Sequence, residues 1–161
     1  MEGNHTSNTN NNCSNYILGL CPRHWVLSLH GECFKVYANR LDWNSAKSAC
    51  EALGSNLAVL NSKAKLRDFS ASAAAGKADD LWIGLHRNPT HKPSWIWVGG
   101  LRVTFATWDT WQPSNYQAGE DCGVLKKLTK KWHDYSCTAR FGYICEINGK
   151  CNLHDKKEVE N

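Results

Sequence analysis

Gln112-Pro113-Ser114-Asn115-Tyr116-Gln117-Ala118-Gly119-Glu120-Asp121-Cys122, followed by Trp132-His133-Asp134-Tyr135-Ser136-Cys137, is the stretch around which the chain is organised. It combines two cysteines, a short glycine-bearing loop with hard oxygen side chains, and a second cluster that ends in a carboxylate. A hard cation such as calcium prefers such a set, in which carboxylates, side-chain amides and backbone carbonyls supply the oxygens.

Working outward, the region from His86 to Lys131 alternates turns (Asn88-Pro89, Gly99-Gly100, Gln112-Pro113) with short Trp-rich pieces. So long an irregular region within a compact domain is normally functional. Before it, Leu81-Trp82-Ile83-Gly84-Leu85 has the composition of a buried strand, with a glycine that lets another backbone or ring approach closely. Asp42 is a good N-cap for a helix from Trp43 to Leu53, with Trp43, Ala46, Cys50 and Leu53 on one face and Gly54 as its stop. Leu57 to Leu60 reads as a short apolar strand. Ser62 then leads into a second helix reaching about Ala75, with Leu66, Phe69 and Ala73 on its inner face. The segment from Cys21 to Tyr37 reads as a hairpin turning at His30-Gly31, and Phe141 to Glu146 closes the chain as a strand. Helices early, strands at both ends and a long loop region give an α+β class.

A chain of 161 residues is long enough for one domain with a sizeable core, and eight Trp indicate a packed globule. The net charge of +4 demands neither nucleic acid nor a membrane as partner. Eight cysteines occur without any Cys-x2-Cys knuckle, so disulfides in an oxidising compartment are the better reading than a zinc ribbon. Arithmetic alone leaves their pairing open. Two sequons, Asn4-His5-Thr6 and Asn12-Cys13-Ser14, agree with secretion. No run is long and apolar enough to span a membrane. The opening residues carry no signal-peptide core, so secretion would imply a targeting segment or anchor upstream of this chain. Residues 1–20 read as a polar lead or stalk and 148–161 as a charged tail.

The cysteine pattern, Trp82-Ile83-Gly84-Leu85, Gly119-Glu120-Asp121-Cys122 and the Trp132-His133-Asp134 cluster before Cys137, in this order, closely resemble the C-type lectin-like domain. The resemblance covers residues 21–147, and the Cys21-to-Cys33 hairpin is that of the domain's long form. It implies two helices, small antiparallel sheets and a long loop region, with bridges Cys21–Cys33, Cys50–Cys145 and Cys122–Cys137. Cys13 and Cys151 are left over. Because the two ends of the domain come together as neighbouring strands, a Cys13–Cys151 clamp is expected, with an interchain dimer through Cys13 as the alternative.

In that family the calcium site draws on the first and third positions of the triplet, a later Glu and an Asn-Asp pair. Mapped by resemblance, these are Gln112, Ser114, Glu120, His133 and Asp134. Gln112, Glu120 and Asp134 are acceptable metal ligands. Ser114 offers a neutral hydroxyl, and His133 a nitrogen better suited to zinc or copper. Calcium as cofactor is thereby left open. The second calcium site of some relatives is lost on this reading, since Arg87, His91 and Asn115 stand where carboxylates are needed. Gln112 resembles the galactose-leaning branch. Tyr116 falls where such relatives set an aromatic ring against the apolar face of the sugar, although an ordinary exposed loop aromatic explains it equally.

Lys126, Lys127, Lys130 and Lys131 could draw anionic glycans, but a solvated hairpin tip is the simpler reading. A zinc site of His133, Asp134 and Glu120 is set below His133 packing beside Trp132. The tryptophans Trp82, Trp95, Trp97, Trp108, Trp111 and Trp132 read chiefly as core and loop scaffolding, with Trp111 shaping the site beside Gln112.

The resemblance implies a secreted or extracellular carbohydrate-binding lectin domain, calcium-dependent if the site holds and galactose-leaning. The alternative is a calcium-independent protein-binding domain of the same fold, as in natural-killer-type receptors, which Ser114 and His133 favour. No Ser/His/Asp or Cys/His set with supporting context appears, so the chain does not read as an enzyme.

Overall fold

The computed structural model describes residues 21–75 and 79–147, the side chains of 72–75 excepted. The polar lead, the charged tail, both sequons, the Cys13–Cys151 clamp and the inner-face assignment of Ala73 lie outside the described residues. In chain order the elements are strands β1 (Val26–Leu27) and β2 (Cys33–Leu41), helix α1 (Trp43–Ala52), β3 (Asn56–Leu57), helix α2 (Lys63–Ala75), then β4 (Leu81–Arg87), β5 (Trp95–Trp97), β6 (Cys122–Leu125), β7 (Trp132–Tyr135) and β8 (Phe141–Ile147). The sheet runs β1-β2-β8-β4-β6-β7, with β3 added to β8 and β5 to β4. Pairing is antiparallel except between β4 and β8. This is the α+β class expected from the sequence.

The first and last strands lie side by side, Cys33 opposite Ile147 and Phe34 opposite Glu146. The hairpin turns at Gly31, whose φ of 90° needs no Cβ to be accommodated. Asp42 caps α1 by accepting from the Ser45 amide at 2.9 Å. Trp43, Ala46 and Cys50 are buried, whereas Leu53 is 52% exposed. The expected fourth core position is instead the C-cap, because the helix ends one residue earlier and Gly54 turns the chain away. The strand expected over Leu57–Leu60 is shorter, because Ala58 leaves the ladder to bridge two others. Its amide donates to the Ile144 carbonyl and its own carbonyl accepts from Gly84.

Three disulfides form as the resemblance implied: Cys21–Cys33, Cys50–Cys145 and Cys122–Cys137. The second ties α1 to β8, and the third ties the start of β6 to the residues after β7. Gly84 is a tight approach, since a Cβ there would sit 2.8 Å from both the Leu57 carbonyl and Val98 Cγ2. One polar pair crosses the core unheralded by periodicity. Lys65 of α2 and Glu146 of β8 are both buried and bonded to each other, and Glu146 also accepts from the Val59 amide at 2.8 Å. Burial raises the Glu146 carboxyl above its ordinary range, with Lys65 opposing the shift.

The region from His86 to Lys131 is less irregular than its turns suggested, for it contains β5 and β6, and β4 runs on to Arg87. Trp82, Trp97 and Trp132 are fully buried. Trp132 meets Trp97 edge-on at 5.2 Å and Trp108 at 5.8 Å, and Trp95 meets Trp108 at 4.9 Å. This aromatic floor carries the loop from residue 107 onward. The Trp132 amide donates to the Thr107 carbonyl at 2.9 Å, and Asp109 donates back to the Trp132 carbonyl at 3.1 Å.

Candidate functional site

The loop from Trp111 to Asp121 leaves this floor and folds over the end of β7. Its backbone holds Trp111, Asn115, Gln117 and Ala118 at positive φ, between 45° and 63°, and the Gln112–Pro113 bond is cis. Positive φ in four non-glycine residues of one short loop is costly and persists only where surrounding contacts over-determine it. Those contacts come from two carboxylates. Asp134, fully buried in its side chain, accepts from the Ser114 amide (Oδ1, 2.8 Å) and the Asn115 amide (Oδ2, 2.7 Å). Glu120 Oε2 accepts from the Ser114 hydroxyl at 2.7 Å and the Tyr116 amide at 2.8 Å. The Gln112 side-chain carbonyl reaches back to the Asp134 amide at 3.4 Å.

Four of the sequence-derived site residues therefore converge: Gln112, Ser114, Glu120 and Asp134. Tyr116 lies on the same loop, 68% exposed. His133 does not join them. Strand alternation along β7 puts Trp132 and Asp134 inward and turns His133 to the other face. There its Nε2 meets Asp109 Oδ2 at 3.0 Å and its ring lies over Tyr135. Neither the zinc grouping with Glu120 and Asp134 nor packing beside Trp132 describes it. The hydrogen bond from His133, with further donors at Thr110 and Thr129, holds the Asp109 carboxyl down at about 2.

The convergent set does not fit calcium as it is arranged. A calcium ion takes six to eight oxygens. Here both Asp134 oxygens and Glu120 Oε2 are already engaged by loop donors, and Gln112 and Ser114 add neutral oxygens without further charge. A cationic group is present besides: Arg87 Nη2 lies 3.7 Å from Asp134 Oδ2. Among the described residues, no group of three or more His, Cys, Asp or Glu side chains is poised to hold a metal ion.

Two residues stand differently from what their sequence context indicated. Trp111, counted with the scaffolding tryptophans, is 90% exposed, so its ring stands free beside Gln112. Its only sequence signal was adjacency to the triplet. Arg87, read as a lost carboxylate, is 12% exposed and bonded to Asp121 at 2.7 Å. The lysine run is a hairpin tip: Lys130 donates to the Lys126 carbonyl, Lys126 pairs with Asp80, and Leu128 is 92% exposed.

A family model for the lectin C-type domain matches residues 39–147. The chain is 34% identical over 143 residues to the C-type lectin galactose-binding isoform of Hoplocephalus stephensii, covering 84% of this chain and 85% of that one. It is 30% identical over 132 residues to the C-type lectin mannose-binding isoform of Oxyuranus scutellatus, covering 78% and 82%. Among solved structures, the mouse scavenger receptor C-type lectin carbohydrate-recognition domain superposes with a TM-score of 0.73 at 28% identity, covering 80% of this chain and 98% of that one. With a family model matched over more than half of its length and a relative 34% identical over most of both chains, the chain belongs to the C-type lectin domain family.

Proposed function

We infer that this domain is an extracellular glycan receptor that takes a galactose-type sugar on the face formed by Trp111, Gln112, Ser114, Tyr116 and Glu120, with the buried Asp134 fixing the loop behind it. The observation that carries the reading is the pair of exposed aromatic rings, Trp111 and Tyr116, on the same loop as the convergent oxygens of Gln112, Ser114 and Glu120. A pyranose presents one C–H-rich face and several hydroxyls. An exposed ring supplies broad contact to the first at low entropic cost, and carboxylates and amides accept from the second. Gln112 at the head of the triplet supports galactose over mannose. The named relatives include both kinds, so the preference rests on this chain's own residues. Three disulfides support an oxidising, extracellular setting, and no described helix is long and apolar enough to cross a membrane.

Because the oxygens present do not fit calcium, sugar contact is assigned to the side chains themselves. Calorimetric titration with galactose and with mannose, each with calcium and with EDTA, tests this. Galactose should bind in both conditions and more tightly than mannose, and Trp111→Ala should weaken it about tenfold, the scale of an aromatic contact. Binding of neither sugar would overturn the glycan reading and leave the protein-binding one.

A further inference from the structure

We propose that Arg87 is a built-in cation that orders the ligand loop in place of a metal ion. At the end of β4 its guanidinium gathers oxygens from several segments. Nε donates to Asp121 Oδ1 at 2.7 Å, Nη2 to the Glu120 carbonyl at 3.1 Å, and Nη1 to the Lys92 carbonyl at 3.1 Å. Asp134 Oδ2 lies 3.7 Å from Nη2, and the Trp95 ring stacks on the guanidinium at 4.6 Å. Two carboxylates and two carbonyls thus face one positive centre. That centre is a planar, permanently charged fork.

The charge has a specific task. Asp134 is fully buried in its side chain, and a buried carboxylate is costly without a cation or donors beside it. With Arg87 nearby, Asp134 stays available to receive the Ser114 and Asn115 amides, which fix the strained turn. Arg87 also grips the other end of the loop through the Glu120 carbonyl and Asp121. It is a positioning residue: it acts on the ligand face through Asp134 and the Glu120 backbone. The inference concerns loop order alone and holds whether the ligand is a glycan or a polypeptide.

The test is amide hydrogen exchange at Ser114, Asn115 and Tyr116 in the full chain, in millimolar calcium and in EDTA. The unaltered protein should show equal protection in both. Arg87→Met, which keeps the packing stem but removes the charge, should lose protection about tenfold or more, as expected for losing charge-assisted bonds. Arg87→Lys should retain part of it, because the charge remains and the fork does not. Should Arg87→Met fail to fold, Asp121→Asn probes the same shell from the anion side and should also lower protection. Protection that depends on calcium in the unaltered protein would overturn the proposal. So would an Arg87→Met or Asp121→Asn variant as protected as the parent.

Discussion

Ser114 touches both carboxylates of the candidate site, at 2.7 Å to Glu120 and 3.5 Å to Asp134, so its hydroxyl marks the point where a cation's charge would be needed. A carboxylate placed there has two others for neighbours, which is unfavourable alone and favourable around a divalent ion. Ser114→Asp should therefore create calcium affinity. Millimolar calcium should raise the melting temperature of this variant by several degrees, roughly 1 kcal/mol of linkage, and leave the parent unmoved. An equal response in both proteins would mean that the parent loop already holds the ion. At this scale the sequence was legible in part. Gln112, Ser114, Glu120 and Asp134 could be placed by motif because the family spacing fixes them. The partners of Arg87 and His133 could not, since Asp121 lies 34 residues and Asp109 24 residues away. No local pattern reports such contacts.

The segment ahead of the loop is tied to β7 by backbone bonds between Thr107, Asp109 and Trp132 and by the Asp109–His133 contact. The carboxyl of Asp109 is held at about 2 from an ordinary 3.8, first by the bond from His133 and then by the Thr110 amide. A depressed folded-state pKa contributes stability that is full above 3.8 and is lost as pH falls from there toward about 2. Urea midpoints measured across that interval should fall with acidification in the parent and less steeply in Asp109→Asn. Identical slopes would remove Asp109 from the acid response. Elements with a periodic signature were readable: α1, α2, β4 and β8 lie where alternation, capping and apolar runs set them. Strands β5 and β6 were hidden, since three or four residues among turn signals carry too little period to stand out. Leu53 and Lys65 show the converse. Helical spacing put Leu53 in the core, where the cap turned it out, and offered no reason to bury Lys65, whose partner Glu146 lies at the far end of the chain.

Across the whole molecule, a core knitted by Trp82, Trp97 and Trp132 and by the Cys50–Cys145 bridge supports a ligand loop held from both sides. The Cys122–Cys137 bridge, with a sequence separation of 15, closes the span from the loop's end to the residues just past Asp134. By loop entropy such a closure is worth roughly 3 kcal/mol. Replacing both cysteines with Ala should lower thermal stability and abolish ligand binding under conditions where far-UV circular dichroism remains native. Full binding by that variant would show the bridge irrelevant to the site. The fold class and the Cys21–Cys33, Cys50–Cys145 and Cys122–Cys137 bridges were legible through the family resemblance, which the cysteine order and the Trp82–Leu85 strand carry. The state of the ligand loop was not, because it depends on which oxygens are already engaged. The central claim is that the loop is a sugar-binding face, and titrating galactose against the backbone amide NMR spectrum in EDTA tests it most directly. The account predicts saturable shifts concentrated at Trp111–Glu120 and Asp134, with mannose producing weaker ones. An unchanged spectrum, or shifts centred away from this loop, would contradict it.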